Sequence, residues 1–259
     1  MRAKSKHILL LFSLFLALGC MPAREFDSDS VESNSGGAKL VSYYTFDDET
    51  SDDCSGKEYD GISNSGVRFI DDTPDGKGYS AFINAFKGGF INIPYNVFAG
   101  YTSYSIAFWI KDFGNGVIIT AVSSDYVRCD FPRLVFTSDN QFRFYTRYDN
   151  YNDTPAFESD MSEYISSGWH HIVVTCSDKG SNAERCLYVD GRLIDKDSDG
   201  VHAYVNMHGW DEDIIKKVQI GGDRNGAYSV KSSMKIDNVR FYIGAIPLSV
   251  VKDLYENKK

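Results

Sequence analysis

The sequence is short of positive charge. Across 259 residues, 27 lysines and arginines stand against 36 aspartates and glutamates, a formal net charge of −9. No basic stripe is left to neutralise phosphates, which excludes nucleic acid as a partner. Proline is scarce at 6 residues and histidine at 5, one of them (His7) in the leader. No Cys-x-x-Cys occurs, and the adjacent His170 and His171 lack the helical or hairpin spacing that a zinc site wants. One long apolar run is present, Ile8–Leu18, interrupted by Ser13. It is too short to cross a bilayer as a permanent helix, and no second run follows it.

That run has the length of a signal h-region, and Arg2, Lys4, Lys6 and His7 supply the charged segment before it. It ends in Ala17-Leu18-Gly19-Cys20, which resembles the lipobox of bacterial lipoproteins with the Ala-Leu order swapped. The resemblance implies a signal peptide over 1–19 and lipidation of Cys20 as the mature N-terminus; the alternative is an ordinary cleaved signal peptide. Residues 20–38, "CMPAREFDSDSVESNSGGA", are acidic and rich in Ser and Gly, the composition of a flexible tether. Glu25-Phe26-Asp27-Ser28-Asp29 looks like a paired-acid motif, but a tether cannot hold two carboxylates at a fixed separation. Acidic residues after a lipidated cysteine also resemble surface-export signals of Gram-negative lipoproteins. The expected location is therefore the bacterial cell envelope, on the outer membrane.

Residues 39–259 are ample for one domain with its own core. With 17 Tyr and 17 Phe, aromatic residues are plentiful. Short alternating segments dominate, at 40–46, 81–85, 89–93, 104–111, 117–122, 133–137, 141–148, 169–176, 186–189, 217–220 and 234–243. Turn chemistry divides them: Gly114-Asn115-Gly116, Ser138-Asp139-Asn140, Asp190-Gly191 and Gly221-Gly222. Residues 247–256 alone read as helix, with Pro at the start and Val250, Val251 and Leu254 on one side. The pattern predicts an all-β, two-sheet antiparallel sandwich or jelly roll with a short C-terminal helix.

Within "GWHHIVVTCSDKGSNAERCLYVDGRLID", the strand period places His170 with Ile172, Val174 and Cys176, and His171 on the other face. Adjacent histidines so directed cannot chelate one metal. With Cys20 given to lipid, Cys54, Cys129, Cys176 and Cys186 remain, and spacing does not choose among their three pairings. Cys176 and Cys186 end and begin consecutive strands, where neighbours come within disulfide reach, so a Cys176–Cys186 bridge is expected.

Four stretches in order, "SYYTFDDETSDDCSGKEYDG", "YSIAFWIK", "GWHHIVVTCSDKG…CLYVDGRLID" and "SSMKIDNVRFYIGAIPLSVVKDLYE", resemble laminin-G-like, concanavalin A-like lectin/glucanase domains. The resemblance implies a jelly roll that commonly binds glycan or protein, not one activity, because the same sandwich hosts lectins, hydrolases and adhesion modules. It also implies a structural calcium ion. Asp47 at the close of the first strand and Asp237 in the final strand are its candidate ligands, with carbonyls filling the shell. The alternative for these acids is a turn cap at Asp237 and a solvated Asp47.

Sandwich-fold glucanases carry their acid and nucleophile at alternate positions of one strand. None of the expected strands has Glu-x-Asp or Glu-x-Glu, and Asp211-Glu212-Asp213 is consecutive. The sequence therefore points to non-catalytic carbohydrate binding. A protein-binding adhesion module is the alternative, and a glycoside hydrolase the third reading. If each strand reverses, loops 124–132, 149–168 and 196–216 gather at one end, away from Lys179 and Arg224. They offer Tyr126, Arg128, Tyr151, Asn152, Asp153, His208 and Trp210, rings for sugar C–H faces and polar groups for hydroxyls. Arg143, Tyr145 and Arg147 share a strand face opposite Phe142 and Phe144 and form a second candidate platform.

Overall fold

The computed structural model describes residues 37–94, 97, 101, 103–123, 132–145, 155–165, 168–178, 183–197, 215–222 and 232–258. Most strand segments carry an apolar face, and two sheets closed on one another through such faces make a sandwich core. One sheet, sheet A, contains β1 (Lys39–Tyr44), β3 (Val67–Ile70), β4 (Ser80–Ile83), β6 (Tyr104–Lys111), β11 (His170–Asp178), β12 (Ala183–Val189), β13 (Arg192–Asp197) and β15 (Met234–Ile243). Its order is β13-β12-β11-β6-β15-β4-β3, with β1 also paired to β15. The other, sheet B, contains β2 (Ile62–Ser63), β5 (Ile91–Ile93), β7 (Gly116–Ser123), β8 (Arg133–Phe136), β9 (Gln141–Tyr145), β10 (Phe157–Asp160) and β14 (Ile215–Ile220), in the order β10-β9-β8-β7-β14-β5-β2. Every pairing is antiparallel. The expected jelly-roll sandwich is the observed one.

Between the sheets lie Ile106, Phe108, Phe142, Phe144, Ile172, Val174, Val218, Ile220 and Phe241, all 0 % exposed. Each such side chain contributes about 1.5–3 kcal/mol by leaving water. A second, smaller cluster covers the outer face of sheet A. Helix α1 (Leu248–Glu256) lays Val250, Val251 and Leu254 against Ala107, Val173 and Tyr242 there. Pro247, in extended conformation, occupies its N-cap, where a missing N–H costs nothing.

Four strands were not expected. Of these, β10 falls inside the 149–168 segment read as loop, and β13 ends at Asp197 inside the expected 196–216 loop, where β14 also begins at Ile215. Burial explains the omissions. Phe157 is the one large apolar residue of β10, and β13 buries none of its side chains, so neither shows alternation.

The cysteine expectation is corrected. Cys176 and Cys186 are both thiols, not bridged to one another. The partner of Cys176 is Arg185, and that of Cys186 is Thr175, a one-residue offset. One residue along a strand reverses the side-chain direction, so the two sulfurs leave opposite faces of sheet A. Cys54 is disulfide-bonded. Cys20 and Cys129 are the cysteines left as its partner, and both lie outside the described residues.

Candidate functional site

Strand direction fixes the two ends of the sandwich. The β6 strand runs from Tyr104 at one end to Lys111 at the other, and Phe113, just beyond it, stacks on Phe136 of β8 at 4.3 Å. At the Tyr104 end, Tyr104 meets Phe144 of β9 edge to face at 6.4 Å. The termini Ser123, Arg133, Tyr145, Phe157, Asp197 and Ile215 therefore share the Tyr104 end. The candidate residues Tyr126, Arg128, Tyr151, Asn152, Asp153, His208 and Trp210 belong to segments between these termini and lie outside the described residues. Strand ends flanking Arg224, Ile220 and Met234, are at the opposite end, as expected. The expectation for Lys179 is corrected: Cys176 pairs with Tyr104, so β11 ends and β12 begins at the Tyr104 end. The unforeseen β10 and β13 altered the count of reversals.

Sheet B shows a row that sequence reading missed. Register aligns Asn92, Gln219, Thr120, Arg133 and Tyr145 on five neighbouring strands. Their neighbours along each strand (Ile91, Val218, Ala121, Leu134, Phe144) are buried, and all but Ala121 belong to the inter-sheet core cluster, so this polar row lies on the outer face. Its centre is buried, with Thr120 and Gln219 at 0 %, while Asn92 and Arg133 at either side are half-buried. Tyr145 at the end of the row is buried too, at 7 %. Gln219 Nε2 donates to Asn92 Oδ1 at 2.7 Å, which fixes the amide, yet Gln219 Oε1 has no hydrogen-bond partner. A buried amide oxygen without a donor costs about 1–3 kcal/mol. Arg133 sits over the Tyr145 ring at 5.7 Å. Beside the row, desolvation lowers the Lys217 ammonium below its usual range.

The second platform is divided. Phe142 and Phe144 are buried in the core as their alternation implied, and Arg143 lies on the outer face. Arg143 Nε is held by Glu158 Oε2 of β10 at 2.6 Å. Arg147 lies outside the described residues. Glu158 and Asp160 do alternate on β10, as Asp195 and Asp197 do on β13, so paired carboxylates exist on strands that were not expected. Each is engaged. Glu158 holds Arg143, Asp160 accepts from Ser162, Asp195 from Ser159, and Asp197 from Arg185. The Ser162 hydroxyl and N–H hold Asp160 below the usual carboxylate range, whereas a glycosidase acid needs a raised value.

The two histidines face apart, as their spacing required. His170 Nδ1 meets Asp190 Oδ2 at 2.8 Å, while the His171 ring lies tilted against Trp109 at 5.1 Å and stacks on Tyr255 of α1 at 6.4 Å. Among the described residues no three His, Cys, Asp or Glu side chains are grouped to hold a metal. Asp237 is 2 % exposed beside a bulge in β15, and burial pushes its carboxyl well above the usual range. The neighbouring Asp47 carboxylate pushes it the same way, and Asp47 is itself raised, chiefly by desolvation. Two desolvated carboxylates that raise one another are chemically compatible with a divalent cation. In the stretch Asp53-Cys54-Ser55-Gly56 the acid is structural: Asp53 accepts the N–H groups of Tyr43, Ser55 and Tyr59 and the Ser55 hydroxyl, which closes its loop.

Among the described residues no helix is long and apolar enough to cross a membrane. The family model for the laminin G type of the concanavalin A-like lectin/glucanases superfamily matches residues 87–251. The chain belongs to that superfamily. No curated protein matches the sequence. Among solved structures it is similar to domain 4 of AbnA, a GH43 extracellular arabinanase from Geobacillus stearothermophilus, in complex with arabinotriose. That likeness has 16 % identity and a TM-score of 0.54, and covers 84 % of this chain and 98 % of that one. The botulinum neurotoxin serotype D binding domain shares 15 % identity at a TM-score of 0.61, over 84 % of this chain and 51 % of that one. The botulinum neurotoxin DC binding domain in complex with SialylT shares 13 % identity at 0.58, over 85 % and 52 %. The chain thus spans about half of each toxin domain. At these identities the likeness is one of fold.

Proposed function

We propose that this protein is a cell-envelope lipoprotein, tethered through Cys20 to the outer membrane, whose sandwich binds carbohydrate without cleaving it. The observation that carries the reading is the polar row Asn92–Gln219–Thr120–Arg133–Tyr145 on a sheet whose other face is apolar core. Gln219 Oε1 is the acceptor the fold leaves for a sugar hydroxyl, and the half-buried Asn92 and Arg133 flank it with donor groups. The arabinotriose and SialylT complexes of the similar domains support the ligand class. Asp47 and Asp237 would hold a structural calcium, whose charge would relieve their mutual repulsion.

A glycan array tests the reading, with titration calorimetry on each hit. Gln219→Leu should weaken binding at least tenfold, about 1.4 kcal/mol. A silent array with a captured surface protein would favour the adhesion module instead. Loss of binding in Trp210→Ala but not in Gln219→Leu would move the site to the segments at the sandwich end. Reducing-sugar release in the same mixtures would make the protein a glycosidase.

A further inference from the structure

A second row crosses the inner face of sheet A at its Tyr104 end. Register aligns Tyr104, Cys176, Arg185 and Asp197 on β6, β11, β12 and β13. Cys176 belongs to the inter-sheet core, so the Arg185 guanidinium also points between the sheets. It is 0 % exposed, among the largest fully buried side chains of the protein. Arg185 Nη1 donates to Asp197 Oδ2 at 2.7 Å, but Arg185 Nε and Nη2 have no hydrogen-bond partner. Those two atoms form one edge of the guanidinium, a fork of parallel N–H groups. A charged fork left without acceptors in the core is costly. It is also what a binding site for two adjacent oxygens consists of. Solvent reaches the Asp197 carboxylate, whose side chain is 14 % exposed at the sheet edge, while the guanidinium behind it is closed off.

We propose that the Arg185–Asp197 pair is a binding site for the adjacent hydroxyls of a neutral sugar residue at a chain end. The Nε–H and Nη2–H groups donate to two neighbouring hydroxyl oxygens, and the Asp197 carboxylate accepts a hydroxyl proton in return. Charge decides against an acidic sugar. Asp197 already neutralises Arg185, Asp195 stands two residues away on the same strand, and the whole chain carries −9. A ligand carboxylate would meet repulsion that a hydroxyl does not. Burial decides against mid-chain recognition: a guanidinium closed off behind Asp197 admits only a terminal residue entering past that carboxylate, not the flank of a passing polymer. The ligand class rests on the carbohydrate-binding reading, whereas the place is independent of the row on sheet B.

The test uses calorimetry with arabinotriose, mannotriose and trigalacturonate on the full chain. The double variant Arg185→Met/Asp197→Leu removes both charges together, which avoids stranding either one and should leave the melting temperature unchanged or raised. It should lose at least tenfold in affinity for whichever neutral trisaccharide the wild type binds, and trigalacturonate should bind neither protein. Methylating the hydroxyls of the terminal residue should abolish binding to the wild type as well. Neutral binding that survives the double variant overturns this site and leaves the carbohydrate reading intact. Preference for trigalacturonate overturns the proposed chemistry. If no sugar binds the wild type, both readings fall. Should the double variant not fold, the terminally methylated sugar still decides: undiminished binding overturns the proposal.

Discussion

Cys176 and Cys186 stand on adjacent strands one residue out of register, one sulfur inside the sandwich and the other outside it. Sequence proximity brought them within reach, but strand geometry sends them apart. Both should therefore be alkylated when the protein is denatured without reductant. Cys54, by contrast, should stay protected, and peptide mapping should recover it linked to Cys129, since Cys20 is assigned to lipid. A recovered Cys176–Cys186 peptide would contradict the register.

The leader and its cysteine give a separate test. Cys20→Ser should move the protein from the membrane fraction to the soluble fraction, and the wild type should carry a lipid mass at its N-terminus. Membrane fractionation unchanged by the substitution, without lipid on the wild type, would refute the lipoprotein assignment.

Phe144 fills the core where the sheets meet, between Tyr104 at 6.4 Å and Phe157 at 5.3 Å. Phe144→Ala should cost about 3–5 kcal/mol in urea unfolding. A change below about 1 kcal/mol would show that the site is not close-packed.

Acid should destabilise the fold in two stages. Burial, with Arg240 nearby, pushes His171 down to about 3, against the opposing pull of Asp190. A histidine depressed in the fold contributes stability that is present above its unfolded value of about 6.5 and lost as pH falls towards 3. Desolvation raises Asp72, but hydrogen bonds from Lys235, Lys111 and Trp169 outweigh it and hold the group at about 2. Its contribution is present above about 3.9 and lost below. His171→Phe keeps the ring contacts with Trp109 and Tyr255 and should flatten the melting profile between pH 6 and 4, roughly the window of the first loss. An unaltered slope would mean that another group governs this range.

Calcium gives a fifth prediction. The wild type should melt higher with added calcium than with chelator, and Asp237→Asn should abolish that difference. It should also melt no lower than the wild type in chelator, because the amide removes a buried carboxylate that repels Asp47. A calcium response retained in Asp237→Asn would place the ion elsewhere.

Local periodicity determined a good deal of this molecule. Alternation of apolar and polar residues is written along most of the strands, so the sandwich and the opposed histidines were legible from local pattern alone. The C-terminal helix was legible for the same reason, since Val250, Val251 and Leu254 recur at helical spacing. Strands without a buried apolar stripe left no such trace, as β13 shows. The thiol pair, the row from Asn92 to Tyr145 and the buried Arg185 fork were decided by tertiary structure alone. Each depends on register between strands distant in the chain, and register is set by how whole sheets pair and pack. A shift of one residue would leave every local pattern intact and turn Gln219 and Arg185 to the opposite faces.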